Sequence, residues 1–367
     1  MDGVRSTIRR PRKGFIMSIR AGIIGFGYMG NFHLRRSRES GVIDVIAAYD
    51  VSREKLDAAR AEGLNTYTSL DAFLCDERIQ LVFVCTPNNF HAPLSIAALN
   101  AGKHVMSEKP VTMNLAELDA VLAAARANDR IFTVHQNRRW DEDFLTVKAV
   151  VESGDIGGIT SIVSRQFGQR GVCFGWRADP VQGGGMLYDW GIHLIDQQLC
   201  LWRGHTVTSV YARLSSILTP AVDDNFDLQL TFDNHVVVHI QVGTFSLQSL
   251  PRWFVYGDRG TLMIDKINTY DGAAARIKRD VAGFDSVYGR ADIGPSRTMA
   301  PLLPEYLETI ELPRPERDPL AYHRNLAAAV EGREAPIVSF DDMRRAMKIV
   351  DTAFASSKLD RVIRTKI

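Results

Sequence analysis

Cysteine is scarce in this 367-residue chain, and its four examples (Cys75, Cys85, Cys173 and Cys200) show neither paired nor metal-type spacing. That argues against a disulfide framework or a thiolate metal centre, and suits core or surface thiols in a reducing, cytoplasmic setting. Long apolar runs are lacking too: none approaches the roughly 20 residues that a bilayer-spanning helix needs. Nor is one sign of charge in excess, since 44 Lys and Arg stand against 43 Asp and Glu for a net charge of +1. So balanced a chain gives no electrostatic reason to expect nucleic acid or an anionic membrane as partner. Histidine triplets at metal-ligand spacing are missing, which predicts no metal. His33, His104, His135, His205 and His323 read as isolated, and His235 and His239 lie far in sequence from any acid cluster. The local exception in charge is residues 1–16, where Arg5, Arg9, Arg10, Arg12 and Lys13 crowd together. With no hydrophobic stretch it is not a secretory signal, and it reads as a disordered basic extension, Met17 opening the folded part.

What remains is ordinary globular composition, 46% hydrophobic and 24% charged, in a chain long enough for two cores. The informative stretch is Ala21-Gly22-Ile23-Ile24-Gly25-Phe26-Gly27-Tyr28-Met29-Gly30. An apolar run meets a Gly-x-Gly-x-x-Gly turn, and a helical turn is expected to start near Asn31. Strand, glycine turn and helix in that order make a dinucleotide-binding unit. Gly25 permits the tight turn, Gly27 has no Cβ to block a pyrophosphate, and Gly30 lets the helix lie against the strand. A second buried strand, residues 42–49, ends in Asp50, about twenty residues past the last glycine, where an acid would accept bonds from ribose hydroxyls. Asp50 would also repel a 2′-phosphate, favouring NAD over NADP, although Ser52 and Arg53 offer a phosphate alternative partners.

Regular strand–helix alternation continues to about Asn137. Helices are expected over 53–62, 70–75, 92–101 and 115–128, with strands over 79–85, 104–107 and 131–135. This predicts a doubly wound parallel α/β domain over 17–137. The pattern then changes to a helix over 141–153, closed by Gly154, and to alternating strands from Ile159. Two hairpins stand out, 226–232 with 236–242 and 253–256 with 261–264. Residues 138–367 are therefore expected to form an α+β domain around a large, mostly antiparallel open sheet. Helices would cover one of its faces, and a second copy of the chain the other. Residues 272–304 read as a long loop, and 320–330 and 341–357 as closing helices.

Two clusters suit chemistry at a bound dinucleotide. In Glu108-Lys109-Pro110 a lysine ends a buried strand, where its ammonium could hydrogen-bond a substrate oxygen. In Gly183-Gly184-Gly185 followed by Asp189 and His193, a carboxylate and an imidazole four residues apart would share a helix face and suit orientation and proton transfer.

With Thr86-Pro87-Asn88-x-x-His91 and Asn137-Arg138-Arg139, these motifs occur in an order and at separations that resemble the glucose–fructose oxidoreductase, inositol dehydrogenase and MocA family. Residues 136–141 and 184–189 look most like its scyllo-inositol dehydrogenase branch. The resemblance implies an NAD-dependent (or NADP-dependent) dehydrogenase acting on a secondary alcohol of a sugar or cyclic polyol; the open sheet face, for its part, implies a homodimer or homotetramer. It implies Lys109 as the lysine holding the reacting hydroxyl, His193 as general base, and Asp189 fixing a neighbouring hydroxyl. It places Asn137, Trp176 and Arg177 at the nicotinamide end, and Thr86, Asn88, His91 and Glu108 along its ribose side. Arg138 and Trp140 would belong to the sugar wall. Two other readings use the same fold: a glycoside-cleaving enzyme that oxidises its substrate transiently, and a dinucleotide-binding repressor without chemistry.

Overall fold

A computed structural model describes residues 18–172, 175–278 and 302–367. The basic extension over 1–16, Cys173, and residues 279–301 of the expected loop lie outside the described residues.

The first unit runs β1 (Ile19–Ile24), α1 (Tyr28–Ser40), β2 (Ile43–Tyr49), α2 (Arg53–Ala61), β3 (Asn65–Tyr67), α3 (Leu70–Leu74) and β4 (Leu81–Val84). It continues with α4 (His91–Asn100), β5 (His104–Ser107), α5 (Leu115–Ala127) and β6 (Phe132–Val134). All its strand pairs are parallel, in the order β3-β2-β1-β4-β5-β6. The order reverses between β1 and β4, and a crevice opens there beyond the strands' carboxyl ends. Every residue of β4 is fully buried, as its unbroken apolar run requires of a strand covered on both faces. Ser52, Ser69 and Asn114 cap α2, α3 and α5 by accepting backbone N–H groups in the first turn. α1 starts at Tyr28 rather than near Asn31. Gly25 alone makes the turn, at φ +90°, so Gly27 already serves as the N-cap.

The second unit contains α6 (Glu142–Ser153), β7 (Ile159–Phe167), α7 (Ile192–Leu201), β8 (Val207–Ser215), β9 (Asn225–Phe232), β10 (Val237–Gly243), β11 (Trp253–Gly257), β12 (Gly260–Ile264), β13 (Gly272–Ile277), β14 (Leu307–Ile310), α8 (Ala321–Val330), α9 (Phe340–Leu359) and β15 (Ile363–Arg364). Its sheet has the order β14-β13-β12-β11-β7-β10-β9-β8-β15, antiparallel except where β10 lies parallel to β7. Both expected hairpins are present, as β9–β10 and β11–β12. The loop expected over 272–304 is wrong at its start, because Gly272–Ile277 is the strand β13, paired with both β12 and β14. Pairing on both sides overrides the glycine, proline and charge content that suggested a loop. Helices α6, α7 and α9 pack on one face of the sheet. On the other, alternation along β11 leaves Phe254 and Tyr256 38% and 50% exposed. Helix α8 returns to pack on α1. Among the described residues, no helix is long and apolar enough to cross a membrane.

Candidate active site

The crevice at the strand-order reversal is one continuous cavity of about 1030 Å³. Its first end is made by the glycine turn. An added Cβ on Gly30 would lie 2.4 Å from the Gly25 carbonyl oxygen, so this glycine lets α1 sit against β1. An added Cβ on Gly27 would meet nothing within 4 Å, which is the open approach a phosphate needs. No side chain caps α1, and its first turn holds no acid, so its N–H groups and positive dipole end are available to an anion. Asp50 lines the same end, with Oδ2 accepting Phe26 N–H and Oδ1 accepting Ser52 N–H, both at 2.8 Å. Each oxygen keeps a second lone-pair direction for a ribose hydroxyl. Lys55 lines this end as well. The sequence reading passed over it because a lysine in the first turn of an exposed helix looks like solvated surface.

At the other end three segments distant in sequence meet. Lys109 leaves β5 just before a cis Lys109–Pro110 bond, and its Nζ donates to the Asp189 carboxylate at 2.7 Å and to the Asp189 carbonyl at 2.8 Å. Asp189 belongs to a π-helical turn, Leu187–Gly191, that leads into α7. Such single wide turns recur at functional sites. This turn is held from below by Asp223, whose carboxylate accepts Leu187 N–H at 2.7 Å and whose carbonyl accepts Met186 N–H at 2.9 Å. The glycines before it serve close approach: a Cβ on Gly184 would lie 2.3 Å from the Arg177 carbonyl oxygen. They allow the turn carrying Trp176 and Arg177 to fold over the cavity, with Arg177 Nε 3.4 Å from the second Asp189 oxygen. Burial pushes the Asp189 carboxyl up, but the Lys109 and Arg177 charges outweigh it and hold the group below its usual range.

His193 is 5% exposed and shares this wall. It does not bond Asp189, its neighbour along the helix. Its Nδ1 instead lies 3.1 Å from Gln136 Oε1, so Nδ1 carries the proton and donates, leaving the Nε2 lone pair free. Burial, reinforced by the charges of Lys109 and Arg138, holds its pKa well below 6.5. The imidazole is therefore neutral at pH 7. Arg138 donates to Asp141 at 2.8 Å and lies 4.1 Å over the Trp190 ring, fixing both side chains.

Of the expected site residues, Gly25, Gly27, Tyr28, Met29, Asp50, Thr86, Pro87, Asn88, Glu108, Lys109, Asn137, Arg138, Trp176, Arg177, Asp189 and His193 all line this cavity. Four others stand behind its wall. Phe26 and Gly30 are packed under the glycine turn. His91 has Nδ1 2.7 Å from the Pro110 carbonyl oxygen and Nε2 3.0 Å from the Thr86 carbonyl oxygen, and the one that carries its proton donates, bracing the loops that do line it. Trp140 packs edge-on against Tyr322 instead of forming a sugar wall. Asp196 is a structural partner, buried against Arg139 at 2.6 Å.

The reading of His33, His135 and His323 as isolated is overturned. His33 Nε2 and His135 Nδ1 lie 2.8 and 2.9 Å from Glu108 Oε1, and His323 Nε2 lies 3.2 Å from His33 Nδ1. One ligand-type atom from each of His33, Glu108 and His135 falls within 4.8 Å of the others, a cluster that spacing could not reveal because α1 and the residues just past β5 and β6 each supply one member. Hydrogen bonds account for the geometry.

Residues 19–136 match the sequence profile of an oxidoreductase family with an NAD-binding Rossmann fold, and residues 144–263 match the GFO/IDH/MocA C-terminal domain. An uncharacterized oxidoreductase of Schizosaccharomyces pombe is 31% identical over 289 residues, 76% of this chain and 77% of that protein. The scyllo-inositol 2-dehydrogenase (NADP(+)) of Bacillus subtilis is 28% identical, with 94% of this chain and 96% of that protein covered. The crystal structure of an NAD-binding protein from Listeria innocua superposes with a TM-score of 0.85 at 35% identity, covering 95% of this chain and 97% of that one.

Proposed function

Because the chain belongs to the GFO/IDH/MocA oxidoreductase family, we propose that it is an NAD-dependent dehydrogenase of a secondary alcohol on a sugar or cyclic polyol. One observation carries the reading: an ammonium (Lys109), a carboxylate (Asp189) and a neutral imidazole with a free Nε2 (His193) line one wall of the cavity that begins at the glycine turn. When bound, the nicotinamide supplies the acceptor for the hydride that leaves the alcohol carbon. His193 Nε2 takes the hydroxyl proton, and the Gln136 oxygen on Nδ1–H stabilises the imidazolium that results. Lys109 Nζ, already held by Asp189, donates to the oxygen as charge develops there. The free Asp189 lone pairs accept a neighbouring hydroxyl, which favours polyols over simple alcohols. Trp176 and Arg177 close the mouth and exclude water. Asp50 turns its charge toward the adenosine ribose, which favours NAD over NADP.

The outward face of the nine-stranded sheet, with Phe254 and Tyr256, pairs with a second copy in this proposal. The test of function is a panel of inositols and aldoses with each cofactor, read by absorbance of the reduced nicotinamide. Net reduction with a cyclic polyol or sugar is the expected result. Substrate cleavage without net reduction, or binding of NAD with no turnover of any member, would refute the proposal.

A further inference from the structure

Glu108 sits beside Lys109 on the cavity wall, 6% exposed. Of the other acids lining the cavity, Asp189 is paired with Lys109 and Arg177, and Asp50 accepts backbone N–H groups at the far end. Among the described residues, Glu108 forms ion pairs with no Lys or Arg; its side-chain partners are imidazoles. The hydrogen-bond directions in that cluster form a consistent chain. Oε1 can only accept, so His33 gives it Nε2–H and His135 gives it Nδ1–H. With its one proton on Nε2, His33 must accept at Nδ1, and His323 Nε2–H donates there. The chain ends at His323 Nδ1, a buried atom with no partner, which a bare acceptor tolerates better than an N–H would. The same chain favours hydrogen bonding over a metal ion, since metal at His33 Nε2 would move the proton to Nδ1 and leave His323 an orphaned N–H. Oε2 accepts the Lys109 backbone N–H at 3.2 Å.

We propose that Glu108 is a positioning residue that acts by its charge: the histidine chain fixes a buried anion beside the nicotinamide end of the cavity, so that the oxidised, cationic ring is bound in preference to the reduced, neutral one. This rests on the reading that the Lys109 end receives the nicotinamide. Burial works against the charge on Glu108, but His135 and His33 outweigh it and hold the carboxyl well below its usual range. The other titratable groups it faces are Lys109, Cys85 at the end of β4, His91, His193 and Tyr322 of α8. His33 itself is held at about 4 by burial, so it stays a neutral donor at working pH.

The experiment measures the dissociation constants of oxidised and reduced cofactor at pH 8 on the full chain, by nucleotide and protein fluorescence. Glu108→Gln should weaken the oxidised form roughly tenfold more than the reduced form, the scale of one charge acting across several ångströms of partly screened protein. Glu108→Asp keeps the charge and should hold the oxidised-to-reduced ratio within about threefold of wild type. A merely structural role would weaken both forms alike, and equal weakening or an unchanged ratio in Glu108→Gln overturns the proposal. If Glu108→Gln does not fold, His33→Leu replaces it. With one of two donors gone the carboxylate protonates nearer neutrality, so the ratio must fall with pH between 8 and 6 in the variant more steeply than in wild type, and parallel profiles overturn the proposal. His33→Gln, which returns an N–H near Nε2, should restore the wild-type profile. Wild-type protein that binds neither nucleotide would instead refute the functional reading on which this one rests.

Discussion

Replacing His193 with alanine separates a catalytic imidazole from a buried structural one. The side chain is 5% exposed, donates Nδ1–H to Gln136, and presents Nε2 to the cavity. Its removal leaves Lys109 and Asp189 paired at 2.7 Å and the cofactor end untouched, so binding should survive while proton removal loses its acceptor. Loss of a positioned general base costs about 10²–10⁴ in rate, or about 3–5 kcal/mol of barrier. Removing only the Gln136 acceptor, by Gln136→Leu, forfeits one hydrogen bond, a net of about 1 kcal/mol, and should slow the same step roughly fivefold. Single-turnover formation of reduced nicotinamide on the best substrate of the panel is the assay, because steady-state turnover would mix in product release. Burial holds the His193 pKa well below 6.5. The base is thus already neutral at pH 7, and the wild-type rate should fall only as pH drops below 6.5 toward that lowered value. A variant His193→Ala with a single-turnover rate within threefold of wild type would refute the assignment, as would an acid limb in the wild type centred above 7.

Four further outcomes follow from the geometry. Asp50→Ser removes the charge facing the ribose and should raise the NADP-to-NAD ratio of kcat/KM at least roughly tenfold; the loss of its two backbone bonds should cost about 1–3 kcal/mol in denaturant unfolding. Gly30→Ala places a Cβ 2.4 Å from a carbonyl oxygen and should destabilise by about 1–3 kcal/mol, whereas Gly27→Ala meets no atom, should cost no more than the roughly 0.5–1 kcal/mol of a poorer N-cap, and should weaken cofactor binding in titration calorimetry. His33 titrates at about 4 in the fold against 6.5 when unfolded. Its contribution is therefore complete above pH 6.5 and is lost as pH falls toward 4, by an amount on the order of 3 kcal/mol, so Tm should drop from pH 7 to pH 5, less so in His33→Gln. Tyr256→Glu with Phe254→Glu should reduce the mass seen by sedimentation to that of one chain if the outward sheet face pairs with a second copy.

Much of this was legible in the chain. Elements whose identity rests on local periodicity and punctuation were readable: the buried run at 79–85, the stop at Gly154, and both hairpins. The glycine turn was readable because its spacing is local, even though Gly25 answers the Cys85 carbonyl across the sheet, Gly30 answers the Gly25 carbonyl, and Gly27 answers no protein atom. Strand β13 was not, since small residues between glycines carry no strand signal and pairing with β12 and β14 alone makes them one.

The site divides along the same line. Residue types and spacing alone determined that a dinucleotide turn, a strand-end lysine and an acid–imidazole pair exist in one chain. Only the tertiary structure decided the partnerships. Asp189 went to Lys109 and Arg177, and His193 went to Gln136. His91 became a brace behind the wall, and three histidines that looked unrelated joined in a chain on Glu108, His33 and His135 directly and His323 through His33. Buried polar groups must be satisfied, and which donor reaches which acceptor depends on the meeting of segments tens to hundreds of residues apart, for which no local pattern in a sequence carries a record.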